Sequence, residues 1–437
     1  MEYRNSSGRA GLGVGLLLAL AVIGGCGGGA SSPVMSAGGS TSDPTSTGGG
    51  GPPPAVMTAK NDGTPVDPAV VTADNTFGLK LFQNLNAGAT GNVAIAPISV
   101  AMALQILYNG AAGTSQQAMA GTLQLGAMST QTLNNDNAAL LASLIDADPQ
   151  VQITLANSLW VHLTGDNANT VLPSFTQMDQ TYYGATLGDL AGAPSNVNAW
   201  VSNETNGLIT QILPNASYGA VKAVLANVIY FKGQWTAPFD PNQTVSAMFT
   251  LSNGTQVAAE MMHQSGSFAY MEGANFQAIS LPYGQGRFSM ILVLPTAGTS
   301  LSTFVSGITA ATLNTWVSQL QTSSGNVSLP RFSSTYAASL PPALTNLGMG
   351  IVFCPGTSAD FSALSSQAIC VSDVEHKTTV EVDEAGTVAA GATTVTVGPT
   401  SVAVPQFIMT LDHPFFYAIR DDSTGELLFV GTLVNPS

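Results

Sequence analysis

Apolar positions along the chain switch between two periods, and the switches mark out its elements. Val70, Phe77, Leu81 and Leu85 fall near one helical face, and residues 92–96 form a short apolar strand that Pro97 stops. Ser99 can cap a helix that carries Met102, Ala103, Ile106 and Leu107 and ends at Gly110. Thr114 or Ser115 opens a further short helix, and residues 133–145 read as an amphipathic one. From residue 151 the period becomes two: Val151, Ile153, Leu155, Leu159, Val161 and Leu163 alternate with mostly polar residues, as in a half-buried strand. A helix follows Pro173 and another spans roughly 196–204. Residues 221–231 are almost continuously apolar, as a strand buried on both faces requires. Strands and turns dominate 245–294, residues 301–320 read as helix, and 326–332, 371–382 and 427–434 as strands. Helices gather early and strands late, without regular βαβ alternation. The pattern predicts an α+β fold, one large domain over residues 69–437.

One stretch breaks this pattern. After Glu384 no charged residue occurs until Asp412, and the residues between are mainly Ala, Gly, Thr and Val. Small and β-branched residues without charge describe a segment able to add to a sheet. Proteins usually blunt such a segment with Lys or Pro. Either it is an ordinary edge hairpin or strand addition is its task.

Composition narrows the partners. Of the 437 residues 45% are hydrophobic, enough for a sizeable core, while only 8% are charged, against about a quarter in ordinary domains. Ten basic and twenty-five acidic residues give a net charge of −15, which argues against nucleic acid or an anionic membrane surface as partner.

The N-terminus reads as a targeting segment. Arg4 and Arg9 precede an apolar run over residues 12–23, too short to span a membrane as a helix. The run ends in Ile23-Gly24-Gly25-Cys26 and resembles a bacterial lipobox, which implies a signal peptide over residues 1–25 and lipidation of Cys26. A plain secretory signal with an incidental Cys is the alternative. Gly27 after the Cys resembles the outer-membrane rather than the inner-membrane sorting pattern. Residues 26–68 form a tether, rich in Gly, Ser, Thr and Pro as far as Pro52-Pro53-Pro54. Cys354 and Cys370 are either a disulfide or two small buried side chains.

Enzyme chemistry is poorly represented. No G-x-S-x-G, H-E-x-x-H or phosphate-cradling loop occurs, and the four His (162, 263, 376 and 413) show no metal-ligand spacing. Neither a metal nor a cofactor is expected.

Four segments, in order, resemble the serpins, the serine protease inhibitor family with a mobile reactive loop. They are Asn92-Val93-Ala94-Ile95-Ala96-Pro97-Ile98-Ser99, then Asn227-Val228-Ile229-Tyr230-Phe231-Lys232-Gly233-Gln234-Trp235. Glu384-Ala385-Gly386-Thr387 with the small-residue run behind it follows, and Met409 to Ile419, with Asp412-His413-Pro414-Phe415 at its centre, comes last. The resemblance implies a mixed central sheet, N-terminal helices and an exposed reactive loop at about 384–405. It implies an irreversible suicide-substrate inhibitor, not an enzyme, acting as a monomer on a serine protease, with a cysteine protease as the other option. The runner-up is a non-inhibitory surface lipoprotein of the same fold, serving as a binding or scaffold protein.

Family spacing sets the expected scissile bond about fourteen residues after the hinge glycine, between Thr400 and Ser401. By the same resemblance Glu384, Gly386, Thr387, Val388, Ala389, Ala390, Gly391 and Ala392 form the hinge. Val388 stands where inhibitory members usually carry Glu. Ser99, Asn227 and His376 map to a polar cluster where the sheet parts, with Ala96 in place of a second Ser. Trp235 maps to the top of the sheet, and Arg331 would pair with Glu384. Thr400 would suit a shallow pocket of the elastase-like or subtilisin-like kind. Localisation is expected at the outer membrane or cell surface, or outside the cell, with membrane contact only through the lipid.

Overall fold

The structure, a computed structural model, describes residues 65–165, 168–355, 358–387 and 405–437. Cys26 and the tether, the bond Thr400–Ser401, and the hinge positions Val388, Ala389, Ala390, Gly391 and Ala392 lie outside the described residues.

Asp67 opens the first helix, Pro68–Asn86, by accepting the Ala69 N–H at 2.8 Å, with Pro68 where an absent N–H costs nothing. Its buried stripe of Val70, Phe77 and Leu81 packs into the main core with the next helix, Pro97–Gly110. Nearly every residue of that second helix is buried, as expected of a helix apolar all round. It begins at Pro97, so Ser99 is not its cap. Ser99 lies inside the first turn, and its hydroxyl is left for a strand beneath. Helices Gly113–Thr122, Thr130–Leu144, Pro173–Tyr182 and Ser195–Glu204 follow. The helix predicted over 301–320 is broken at Gly307 into Leu301–Ser306 and Ala310–Gln319, each with its own hydroxyl cap, Ser300 and Thr309.

Two sheets take up most of the remainder. The larger runs Val93–Ile95, Leu427–Leu433, Phe415–Asp421, Phe288–Pro295, Phe276–Tyr283, Gln256–Glu272, Gln321–Pro330, Phe407–Thr410, with Val245–Thr250 added to Gln256–Glu272. The smaller has the order Phe332–Ser339, Asp373–Val382, Gly386–Thr387, Ala223–Gln234, Val151–Val161, Thr186–Asp189. Within Ala223–Gln234, the side chains of Ala223, Leu225, Ile229 and Phe231 enter the main cores. Val224, Ala226 and Val228 face the other way, against Val197 and Val201 of Ser195–Glu204. Burial on both faces is why this segment has no polar alternation. Cys354 and Cys370 are joined as a disulfide, with their Cα atoms 5.3 Å apart.

The first helix and the C-terminal hairpin enclose two acids. Asp74 and Glu426 are both fully buried. Gln105 Nε2 donates to Asp74 Oδ1 at 2.6 Å, whereas Asp74 Oδ2 and both Glu426 carboxylate oxygens have no partner among the described residues. Burial pushes the Asp74 carboxyl up to about 7 against the opposing Gln105 bond. Burial, and then the charges of Asp74 and Asp421, push Glu426 well above the usual range. The folded state therefore holds protons that the unfolded chain has already lost. This contribution is most favourable below the ordinary carboxylate pKa and declines as pH rises towards 7. Asp74→Asn keeps an acceptor for Gln105 and removes the charge. It is expected to raise stability at pH 8 by roughly 2–4 kcal/mol and to change it little at pH 4, as read by denaturant melts of both chains at each pH.

Candidate functional site

The smaller sheet is closed at one end and parted at the other. Asp373–Val382 runs parallel to Ala223–Gln234 and pairs with it only from Asp373↔Val224 to His376↔Asn227. Further along, Gly386–Thr387 lies between the two strands and antiparallel to both, in the register Thr387↔Val382 and Thr387↔Gly233. Between these ends, residues 228–232 and 377–381 face one another with no strand pairing across the gap.

A short return of the chain holds the wedge in place. The Asp383 N–H donates to the Gly386 carbonyl at 3.0 Å, and the Asp383 carboxylate accepts the N–H groups of Ala385 and Gly386 at 2.8 and 3.0 Å. Trp235 donates twice, from its indole to the Asp383 carbonyl and from its backbone to the Ala385 carbonyl, both at 2.9 Å. Phe239 N–H reaches the Glu384 carbonyl at 2.9 Å. The Trp235 ring is buried and stacks on Tyr283 with centroids 4.3 Å apart. The Tyr283 hydroxyl in turn meets Thr387 Oγ1 at 2.6 Å, so Thr387 points into the core and is 1% exposed. At Gly386 a Cβ would run into the Gly233 carbonyl and the Gln234 backbone, so only glycine lets the two strands close on it.

Glu384 anchors the same turn. Arg331 Nε donates to its two oxygens at 2.7 and 2.8 Å, and the Thr244 hydroxyl donates to one of them. Burial opposes ionisation of this carboxyl, but the Arg331 and Thr244 bonds outweigh it and hold the pKa below the usual value.

The closed end is held by side chains. His376 is fully buried, and its Nε2 accepts the Ala96 N–H at 3.2 Å. Its Nδ1 therefore carries the proton and donates to Asn227 Oδ1 at 3.0 Å. Only the neutral ring satisfies both contacts, and burial lowers its pKa to about 3. Ala96, which lacks the hydroxyl of the family pattern, serves through its backbone. The Asn227 amide lies 2.6 Å from Ser99 Oγ, 2.5 Å from the Ser99 carbonyl and 2.5 Å from Asn157 Oδ1.

The structure thus places Ser99, Asn227 and His376 together at the closed end, and Trp235, Arg331, Glu384, Gly386 and Thr387 at the parted end. Asn157, Tyr283, Thr244 and Asp383 belong to these groups but were not singled out by sequence reasoning. Asn157 had a usable signal: it is the polar residue in the apolar phase of Val151, Ile153, Leu155, Leu159 and Val161. Asp383 had one too, an Asp whose side chain can accept the N–H groups two and three residues on in a turn reaching Gly386. Tyr283 and Thr244 had none, because their partners are distant in sequence. Among the described residues no group of His, Cys, Asp or Glu could hold a metal ion, and no helix is long and apolar enough to cross a membrane.

The sheet is thus parted at one end by a downstream segment of its own chain, which lies between two of its strands. Residues 72–436 match the family model Serpin (serine protease inhibitor), and the chain belongs to that family, whose members are mostly protease inhibitors. Human leukocyte elastase inhibitor is 32% identical over 387 residues, covering 84% of this chain and 99% of that protein. Neuroserpin of Gallus gallus is 30% identical over 365 residues, covering 79% and 86%. Among solved structures, the thermophilic serpin tengpin in its native state aligns with TM-score 0.78 and 27% identity over 85% of this chain and 95% of that one. Thyroxine-binding globulin in complex with thyroxine aligns with TM-score 0.75 and 25% identity, covering 84% and 99%.

Gly386→Val is expected to expel residues 386–387 from between the strands, at a cost of about 1–3 kcal/mol. Native-state hydrogen exchange should then accelerate at Thr387 while Asn227 and His376 keep their protection; unchanged exchange at Thr387 would contradict this role of the glycine.

Proposed function

We propose that the protein is an irreversible suicide-substrate inhibitor of serine proteases, trapping its target by inserting the cleaved loop into its own sheet. Strand addition within one chain, of which serpin loop insertion is a known instance, needs a sheet that can open and a strand that can fill it. The observation that carries the reading is the parted sheet with Gly386–Thr387 already between its strands.

The register of that wedge supports the reading quantitatively. Extended from Thr387, it would set residues 388–392 against the unpaired 232–228 on one side and 381–377 on the other. Residue 393 would then arrive between Asn227 and His376, and residues 393–396 would replace the four parallel pairs of the closed end. Because Thr387 faces the core, Ala389, Gly391, Thr393 and Val395 would face it too. All are small or uncharged, so burying them carries little desolvation cost. Thr393 would bring a hydroxyl to the polar cluster just as the His376–Asn227 bond is lost, which keeps those buried groups satisfied. At roughly 1 kcal/mol per net backbone hydrogen bond, filling both edges releases on the order of ten kcal/mol.

Cleavage is assigned to the bond Thr400–Ser401, and the small β-branched Thr400 favours proteases of the elastase-like or subtilisin-like kind. Lipidation at Cys26 and the tether would present the inhibitor, as a monomer, at the outer membrane or cell surface of a bacterium. A second reading, a non-inhibitory binding or scaffold protein, is favoured by the likeness to thyroxine-binding globulin.

Incubation with an elastase or subtilisin is expected to give a covalent adduct stable on denaturing gels, and the cleaved protein should melt far above the intact one. Thr387→Arg, which sets a charge against Tyr283 at the first inserted position, is expected to abolish the adduct and leave cleavage intact. Clean cleavage without adduct across serine and cysteine proteases would overturn the inhibitory reading; cleavage without a rise in melting temperature would favour the second.

A further inference from the structure

A cavity of about 290 Å³ lies between helix Thr130–Leu144, strand Val151–Val161 and helix Ser195–Glu204. Its size is near the lower end of small-ligand sites, about 300–1,000 Å³. Leu141, Leu144, Ile153, Leu155 and the Trp200 ring form an apolar wall. Trp200 is fixed in that wall by its indole N–H, which donates to Thr186 Oγ1 at 3.1 Å.

Among the residues lining this space none has a basic side chain, and Glu204 alone has a carboxyl group. It is half-buried, and its carboxylate makes no hydrogen bond or ion pair among the described residues. Burial raises its pKa, with no partner to offset the effect. A carboxylate without a cation at the edge of a hydrocarbon-lined cavity has the complementarity of an amphiphile with a positive head. The net charge of −15 acts in the same direction, drawing cations towards the protein and repelling anions.

We propose that this cavity is a binding site for primary alkylammonium compounds, with the hydrocarbon chain against Leu141, Leu155 and Trp200 and the ammonium donating to Glu204. The alternatives of similar size are separated by their heads. A fatty-acid carboxylate would meet Glu204 with like charge, and an alcohol would gain the apolar contacts without the ion pair. The proposal does not rest on the inhibitory reading: amine binding and protease adducts are read in separate experiments, so failure of one is distinguishable from failure of the other.

Isothermal titration of the intact protein with n-octylamine, 1-octanol and octanoate tests the assignment. Octylamine is expected to bind saturably with one-to-one stoichiometry, about tenfold more tightly than octanol, with octanoate weaker than both. Glu204→Gln, a change at a half-exposed position, should bring octylamine and octanol to nearly equal affinity. Leu155→Trp should fill the cavity and weaken both. As a second measurement in the unaltered chain, the Trp200 indole resonance should shift on adding octylamine. Absence of saturable octylamine binding, a full amine preference retained by Glu204→Gln, or an unmoved Trp200 signal at saturation would overturn the proposal.

Discussion

The unfilled edge between two strands is the constraint on which the rest of this structure depends. Residues 228–232 and 377–381 belong to one sheet, yet no ladder joins them. A strand edge is a template for whatever chain can reach it, and an open one inside a sheet is filled from the same molecule or from a neighbour. Everything around the gap either keeps it open or decides how far it is occupied. Its flanks are secured by their outer partners: Val151–Val161 pairs along Ala223–Gln234 through eleven positions from Val151↔Gly233 to Val161↔Ala223, and Phe332–Ser339 pairs along the length of Asp373–Val382. The outer ladders tie down each flank, so the unpaired edges meet along one seam.

Two locks of different chemistry bound that seam. The closed end relies on a buried polar cluster in which a neutral His376 links the Ala96 backbone to Asn227. Such a cluster is costly to break without replacement and inexpensive to rewire when another hydroxyl arrives. The parted end relies on packing and on geometry: Trp235 stacked on Tyr283, Thr387 under the Tyr283 hydroxyl, and a glycine where no Cβ fits. The Arg331–Glu384 pair adds a charge clamp at its rim, with Arg331 still partly in solvent, so its contribution to stability is modest. The first lock is made of side-chain hydrogen bonds, whereas the second is made of packing around a turn of the chain.

Away from the seam the protein tolerates features that an 8% charged composition makes conspicuous. Asp74 and Glu426 are buried without cations, and they lie where the first helix meets the C-terminal hairpin, at a distance in sequence from the gap. Glu204 faces an apolar cavity. With so few basic residues in the chain, several acids are left to protonation or to solvent rather than to ion pairs.

Much of this was legible in the residues, and the reason is that side-chain period is local. The alternation beginning at Val151 and the nearly continuous apolar run into Phe231 follow from which faces each strand buries, and the strands Val151–Val161 and Ala223–Gln234 cover both stretches. Helix starts are less legible: the residue type of Ser99 suits a cap, but the helix begins at Pro97 and Ala96 precedes it. The family motifs pointed to Asn227, His376, Trp235 and Glu384 as residues, but not to what each would touch. His376 and Asn227 are 149 residues apart, and Tyr283 and Thr387 are 104 apart. By itself the sequence determined the α+β class, the buried strands and an uncharged segment able to join a sheet. Only the tertiary structure decided that two strands would pair at one end alone, because pairing between strands so far apart is set by the packing of both faces and by the contacts at the Gly386 turn, none of which a local pattern encodes.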